Sequence, residues 1–240
     1  MSGHSKWHKI RQKKGATDAA RAKVFTKLAK AVTIAARDGG GDPGMNFKLR
    51  MAIDKAKAGN LPKDKIDAAI TRGTGEGSGL VLEEVVYEAY GPGGVGMLIE
   101  CLTDNTNRAV SEVKHILSKN GSSLAGQGSV MWMFDRKAVF RFGDPLKIGD
   151  RDAFELCVID AGAEDIQEED GELMVLADQS DFQKVSEAIT GCGADPDSSE
   201  LEYLPKEPVE IDESASEKLQ KIYEALDEND DVGNIYTADK

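Results

Sequence analysis

The chain has 240 residues, 40% hydrophobic and 30% charged, with a formal net charge of −13 at pH 7. This composition predicts a soluble protein of two or three domains, and no apolar run reaches the ~18–20 residues that span a bilayer. The acidic total hides a segregation: residues 1–75 carry +11 and residues 76–240 carry −24, so a cationic module suited to a polyanion is tethered to an acidic body.

Residues 1–15 hold five Lys/Arg, no acid and no apolar period. They predict an arm that orders only on a partner. Thr17 or Asp18 caps a helix running to about Arg37, stopped by Gly39-Gly40-Gly41. Val24, Leu28, Ala31 and Ala35 share one face of it, and Lys23, Lys27, Lys30 and Arg37 form a neighbouring stripe. A second helix covers Asn46 to Ala58, with Phe47, Leu49, Met51 and Ile53 as apolar candidates. A third starts near Pro62 and ends before Gly73. Together they predict a small three-helix domain. The glycines of Gly73-Thr74-Gly75-Glu76-Gly77-Ser78-Gly79 predict a flexible linker, and the charge changes sign there. The domain boundary is therefore set at residue 78.

Beyond it strands alternate with short helices. Val85–Tyr90 and Val95–Leu102 read as strands, Asn107–Lys119 as a helix closed by Asn120-Gly121, and Ser129–Phe134 and Ala138–Phe142 as strands. Asp152–Asp160 and Phe182–Ile189 read as helices, Glu172–Leu176 and Leu201–Leu204 as strands. A last amphipathic helix over 213–227 puts Leu219, Ile222, Tyr223 and Leu226 on its buried face, ahead of a strand over Asn234–Thr237. The order favours α+β domains of ferredoxin-like type.

Gly91-Pro92-Gly93-Gly94-Val95-Gly96 satisfies G-x-G-x-x-G formally. A buried strand follows it rather than a helix, so it reads as a strand connection and not a dinucleotide cradle. His4 and His8 lack the glutamate of a zinc motif, and the acidic run Asp227–Asp231 reads as a solvated loop. No nucleophile elbow, P-loop or Cys/His catalytic pair is present, so neither enzyme activity, cofactor, metal nor small-molecule substrate is expected. Cys101, Cys157 and Cys192 are widely spaced and predict reduced, mostly buried thiols. With no apolar stretch after the basic N-terminus, a cytoplasmic location without membrane contact is expected.

The arm carries the strongest signal. Lys6, Lys9, Arg11, Lys13 and Lys14 surround Trp7. Cations displace counterions from phosphates, and an indole among them can stack on an unpaired base. Arg21, Lys23, Lys27 and Lys30 extend the same charge along the first helix. All ten residues are candidate nucleic-acid contacts, with no groove-reading pattern among them.

Gly3-His4-Ser5-Lys6-Trp7, Asp18-Ala19-Ala20-Arg21-Ala22-Lys23, Arg72-Gly73-Thr74-Gly75, Tyr87–Gly94 and Thr103-Asp104-Asn105-Thr106-Asn107-Arg108 resemble, collinearly, the signatures of the YebC/PmpR family. The resemblance implies a helical N-terminal domain over 1–78 and a middle domain over 79–134 plus 205–240. It places a third domain over 135–204, inserted into the second. It also implies a cytoplasmic DNA-binding regulator of transcription. Its mitochondrial relatives resemble translational activators for a cytochrome oxidase subunit, and its bacterial members resemble ribosome-associated factors. A ribosome-associated translation factor contacting ribosomal RNA is therefore the alternative, and a metabolic enzyme the remote one. The loops Tyr90, Gly91, Pro92, Gly93 and Asp104, Asn105, Asn107, Arg108 are further candidate functional positions on the same ground.

Overall fold

The structure, a computed structural model, describes residues 18–75, 82–169 and 171–240. These form seven α-helices and two four-stranded sheets, an α+β multidomain fold. They fall into two compact units. One runs to Phe134 and resumes at Leu204; the other is Asp135–Tyr203.

The first unit begins with α1 (Asp18–Gly39), α2 (Phe47–Ala58) and α3 (Lys63–Gly73). Leu28, Val32, Ala35 and Ala36 of α1 bury against Leu49, Ile53 and Ala56 of α2 and Ile66 and Ala69 of α3. Asn46 staples the turn between α1 and α2. Its Oδ1 accepts the Leu49 N–H at 3.0 Å, and its amide nitrogen donates to the carbonyls of Ala35 and Gly40 at 2.7 and 2.8 Å. Gly73 does not behave as the linker residue the sequence suggests. It ends α3 hard against α1, where an added Cβ would lie 2.3 Å from the Thr33 carbonyl oxygen. The remainder of the predicted linker, from Glu76, lies outside the described residues.

Strands β1 (Glu83–Tyr90), β2 (Gly96–Thr103), β3 (Ser123–Leu124) and β8 (Val232–Thr237) form the first sheet, in the order β3-β1-β2-β8. β1 and β2 form an antiparallel hairpin in register from Glu83↔Thr103 to Tyr90↔Gly96. The glycine-rich segment turns this hairpin, with Gly93 and Gly94 at φ +73° and +79°, a region costly for side chains bearing Cβ. α4 (Thr106–Lys119) and α7 (Glu213–Asp227) contribute Val113, Leu117, Leu219, Ile222 and Leu226 to a core with Met97, Ile99 and Cys101 of β2. β2 is buried along nearly its whole length, and α1 contacts it as well.

Ser129–Phe134 is not a strand. A loop and a short 3-10 turn over Met131–Met133 precede β4 (Phe134–Phe142). The apolar run that suggested extension follows Val130 inward, while three backbone N–H groups turn onto the buried Glu88 carboxylate.

The second unit follows the β-α-β-β-α-β order of a ferredoxin-like domain: β4, α5 (Arg151–Asp160), β5 (Ala163–Glu169), β6 (Glu172–Asp178), α6 (Phe182–Gly191) and β7 (Ser198–Pro205), with sheet order β5-β6-β4-β7. Phe140 packs at a tilt against Phe182 and Phe142 packs edge-to-face with Phe154, joining the sheet to its helices. The buried Arg141 grips Glu202, with Nη2 2.6 Å from Oε2 and Nε 3.3 Å from Oε1. The thiols of this unit are not reduced as the sequence suggests. α5 and α6 lie side by side and bring Cys157 and Cys192 into a disulfide. Cys101 is an unpaired, buried thiol whose pKa burial pushes to about 12, so it stays protonated.

Candidate nucleic-acid interface and the joint behind it

The candidate contacts divide into three groups. Lys6, Trp7, Lys9, Arg11, Lys13 and Lys14 lie outside the described residues. Arg21 is exposed near the start of α1. Lys23 is exposed, Lys30 half-buried and Lys27 buried, and the ammonium groups of all three are hydrogen-bonded within the fold. Successive turns of α1 present all three to the acidic turn after α7, the run that reads from sequence as a solvated loop.

The geometry there is specific. Lys23 Nζ donates to the Glu228 carbonyl at 2.9 Å. Lys27, 5% exposed, donates to the Asp227 carbonyl at 2.7 Å and lies 3.3 Å from its Oδ1. Lys30 Nζ donates to the Asp230 carbonyl at 2.9 Å and to Asp231 Oδ1 at 2.6 Å. A buried ammonium is tolerated only when it is paired and hydrogen-bonded, and the turn supplies both. A helical stripe of lysines reads the same in sequence whether its counter-anion is a phosphate or a carboxylate about 200 residues away.

Asp104, Asn105 and Arg108 belong to the same joint. Asn105 caps α4, its Oδ1 accepting the Arg108 N–H at 3.0 Å. Arg108 Nη2 then reaches Asp104 at 2.8 Å and Asp231 Oδ2 at 2.7 Å. Thr103 Oγ1 donates to the same Asp231 oxygen at 2.9 Å. Burial alone would raise the Asp231 carboxyl, but the hydrogen bonds from Lys30, Arg108 and Thr103 hold it below the usual carboxylate range. Asn107 sits in the first turn of α4, its carbonyl accepting from Ser111 Oγ. Two further links bind the helices to the start of β1: Lys48 Nζ lies 2.7 Å from Glu84 Oε2, and Arg37 Nη1 donates to the Leu82 carbonyl.

Tyr90, Gly91, Pro92 and Gly93 form the β1–β2 turn, at a separate place on the first unit. Three exposed cations that the charge pattern did not single out, Lys63, Lys65 and Arg72, lie on α3. Among the described residues no group of His, Cys, Asp and Glu is arranged to hold a metal ion. No helix among them is long and apolar enough to cross a membrane.

Comparison with known proteins agrees over the whole chain. A family model described as the TACO1/YebC protein N-terminal domain matches residues 5–76, and one for the TACO1/YebC second and third domain matches residues 82–238. A "Probable transcriptional regulatory protein" of Syntrophus aciditrophicus is 48% identical, covering 98% of this chain and 94% of that protein. One of Maridesulfovibrio salexigens is 49% identical with the same coverage. The crystal structure of a conserved hypothetical protein from Aquifex aeolicus superposes with a TM-score of 0.84 at 35% identity, covering 93% of this chain and 91% of that one. Both family models together take in nearly all of the sequence, and the chain belongs to the TACO1/YebC family.

Proposed function

We propose that the protein is a nucleic-acid-binding, non-enzymatic regulator of gene expression, acting in the cytoplasm as a DNA-binding regulator of transcription. The observation that carries this reading is the +11 charge of residues 1–75 set against the −24 of the remainder. The names of the relatives support regulation of transcription. In this reading the three domains, 1–78, 79–134 with 205–240, and 135–204, divide the labour. The first meets the polymer, and the acidic others stay off it by Coulomb repulsion.

With Lys23, Lys27 and Lys30 engaged by the Asp227–Asp231 turn, the contact set is the arm, Lys6 to Lys14, together with Arg21. Lys63, Lys65 and Arg72 add exposed positive charge on α3. Phosphate contacts of this kind position a duplex without reading its sequence.

Trp7 within the arm supports a second reading, a translation factor contacting ribosomal RNA, because an indole among cations stacks on unpaired bases. Binding of Trp7→Ala and Arg11→Ala variants to duplex DNA and to ribosomal RNA at one salt concentration separates the two. Loss with Arg11→Ala on both polymers and no Trp7 effect on the duplex supports the DNA regulator. A Trp7→Ala loss of about 1–3 kcal/mol confined to RNA supports the translation factor. No loss with either variant on either polymer overturns the nucleic-acid reading.

A further inference from the structure

The loop from Gly126 to Met133 is unusually well held for a surface connection. Glu88, near the end of β1 and 6% exposed, draws it in by accepting the backbone N–H groups of Gly128, Val130 and Met131 at 2.5, 2.6 and 2.8 Å. Burial raises the Glu88 carboxyl, yet the three amide donors outweigh it and keep the group ionised. The loop so organised presents one carbonyl, that of Ser129, to two aromatic side chains. Tyr90 Oη donates to it at 3.0 Å and Trp132 Nε1 at 2.9 Å. The polar ends of both rings are thereby satisfied and their orientation set, while most of the Trp132 ring and part of the Tyr90 ring remain in solvent. Trp132 is 66% exposed and Tyr90 39% exposed. A side chain as large as tryptophan, pinned by its own N–H and left uncovered, is organised for contact through its ring surface.

The surroundings select what that contact is. The segment after β7 runs alongside the pair. The Lys206 N–H donates to the Met133 carbonyl at 2.9 Å, next to Trp132, and Ile211 lies against Gly93, in the turn that follows Tyr90. Over Lys206–Glu213 this segment exposes Glu207, Glu210, Asp212 and Glu213, against the basic side chain of Lys206 and that of Lys240, whose Nζ lies 3.7 Å from Glu210 Oε1, so the acids outnumber the cations there. Phosphates are repelled there, and cations are drawn in. A guanidinium is the cation that also gains by stacking on an indole, since it is planar and weakly hydrated.

We propose that Tyr90 and Trp132, with the acidic Lys206–Glu213 segment, form a docking surface for an arginine-bearing segment of a basic protein. This surface is distinct from the cationic arm and is chosen by the opposite charge. It does not rest on the nucleic-acid reading. A protein with a polyanion-binding end and an arginine-binding body is suited to an assembly in which nucleic acid and basic protein occur together.

The test uses the full chain with Trp7→Phe, which leaves Trp132 as its one tryptophan. Nona-arginine, nona-lysine, a proline-rich neutral peptide and a single-stranded oligonucleotide are titrated at physiological ionic strength. Trp132 fluorescence and the anisotropy of labelled probes are followed. Nona-arginine is expected to perturb Trp132 and to bind about two- to fivefold tighter than nona-lysine, the gain from a cation–π contact. Adding Trp132→Ala is expected to erase that difference and leave the lysine affinity unchanged. Glu207→Gln with Glu210→Gln is expected to weaken both cationic peptides together. Equal binding of the two cationic peptides, or an arginine preference that survives Trp132→Ala, overturns the proposal. So does a Trp132 response to the oligonucleotide or the proline-rich peptide in place of nona-arginine.

Discussion

Lys30 Nζ and Asp231 Oδ1 stand 2.6 Å apart across 201 residues of chain, and Asp231 Oδ2 is shared by Thr103 and Arg108. One carboxylate therefore ties three elements together: α1, the β2–α4 corner, and the turn that enters β8. The helical module is held to the sheet by charge at this point, beside the buried Lys27 and its Asp227 partner.

Asp231→Asn removes the charge while keeping the shape. Lys30 and Arg108 are then left without this anion, and the expected destabilisation is about 1.5–3 kcal/mol, the range for hydrogen bonds to charged groups. Urea denaturation measures it. Hydrogen exchange should show faster opening of α1 and the start of α4, with the core of the second unit unchanged. Unchanged exchange in α1 would mean that the joint does not depend on this carboxylate.

The lysines paired with the acidic turn should differ from the arm in binding. Lys27→Met is expected to leave duplex affinity and its salt dependence nearly unaltered. Replacing Lys13 or Lys14 should lower the slope of log K against log salt by about 1 for each phosphate that is no longer neutralised. A salt slope reduced as much by Lys27→Met as by Lys13→Ala would show that the α1 stripe leaves the acidic turn to bind.

Acid should loosen the first unit by a traceable route. The Asp231 and Glu88 carboxyls both lie below their ordinary value in the folded chain. A depressed carboxyl stabilises fully above the unfolded pKa of about 4, and that stability is lost as pH falls through the folded pKa. Urea midpoints measured from pH 7 to pH 3 should fall most steeply below about pH 4. Asp231→Asn, which has no group to titrate there, should fall less steeply than the parent. Identical pH profiles for the two would remove Asp231 from the account.

Gly73→Ala tests the packing of α3 on α1. The added Cβ would meet the Thr33 carbonyl oxygen at 2.3 Å and Ala36 Cβ at 2.7 Å, so the helices must separate. Overpacking of this kind costs about 1–3 kcal/mol. A variant as stable as the parent in thermal melting would show that the end of α3 is loosely seated.

The second unit should respond to reductant. The Cys157–Cys192 bridge closes 35 residues, for which loop-closure entropy predicts about 3–4 kcal/mol. Reduction, or replacement of both cysteines by serine, should lower the unfolding midpoint of this unit and expose α5 and α6 to exchange. No change on reduction would indicate that the thiols are not bridged in solution.

Sequence periodicity was enough for the elements whose burial leaves a mark on local composition. The three N-terminal helices, the β1–β2 hairpin and α7 all carry apolar residues at the spacing that their buried faces require. β5 left no such mark. Ala163–Glu169 is an acidic edge strand, more than half of it exposed, and it is specified by pairing with β6 rather than by a hydrophobic pattern. Ser129–Phe134 misled for the converse reason, since its course is set by a carboxylate some 40 residues away.

The same division governs the candidate site. Charge segregation is a property of composition, so the cationic end and the acidic body were legible without coordinates. Which lysines oppose which anions was not, because Coulomb pairing depends on distance in space and the partners of α1 lie about 200 residues downstream. The tertiary structure alone decided that Lys23, Lys27 and Lys30 meet Asp227–Asp231, that Thr103–Arg108 builds a joint around Asp231, and that Cys157 reaches Cys192. It also set Tyr90 and Trp132 on one carbonyl. Short-range spacing encodes which face of a helix or strand is buried; long-range pairing of charges, thiols and rings is settled only when the folded chain brings them within a few ångströms.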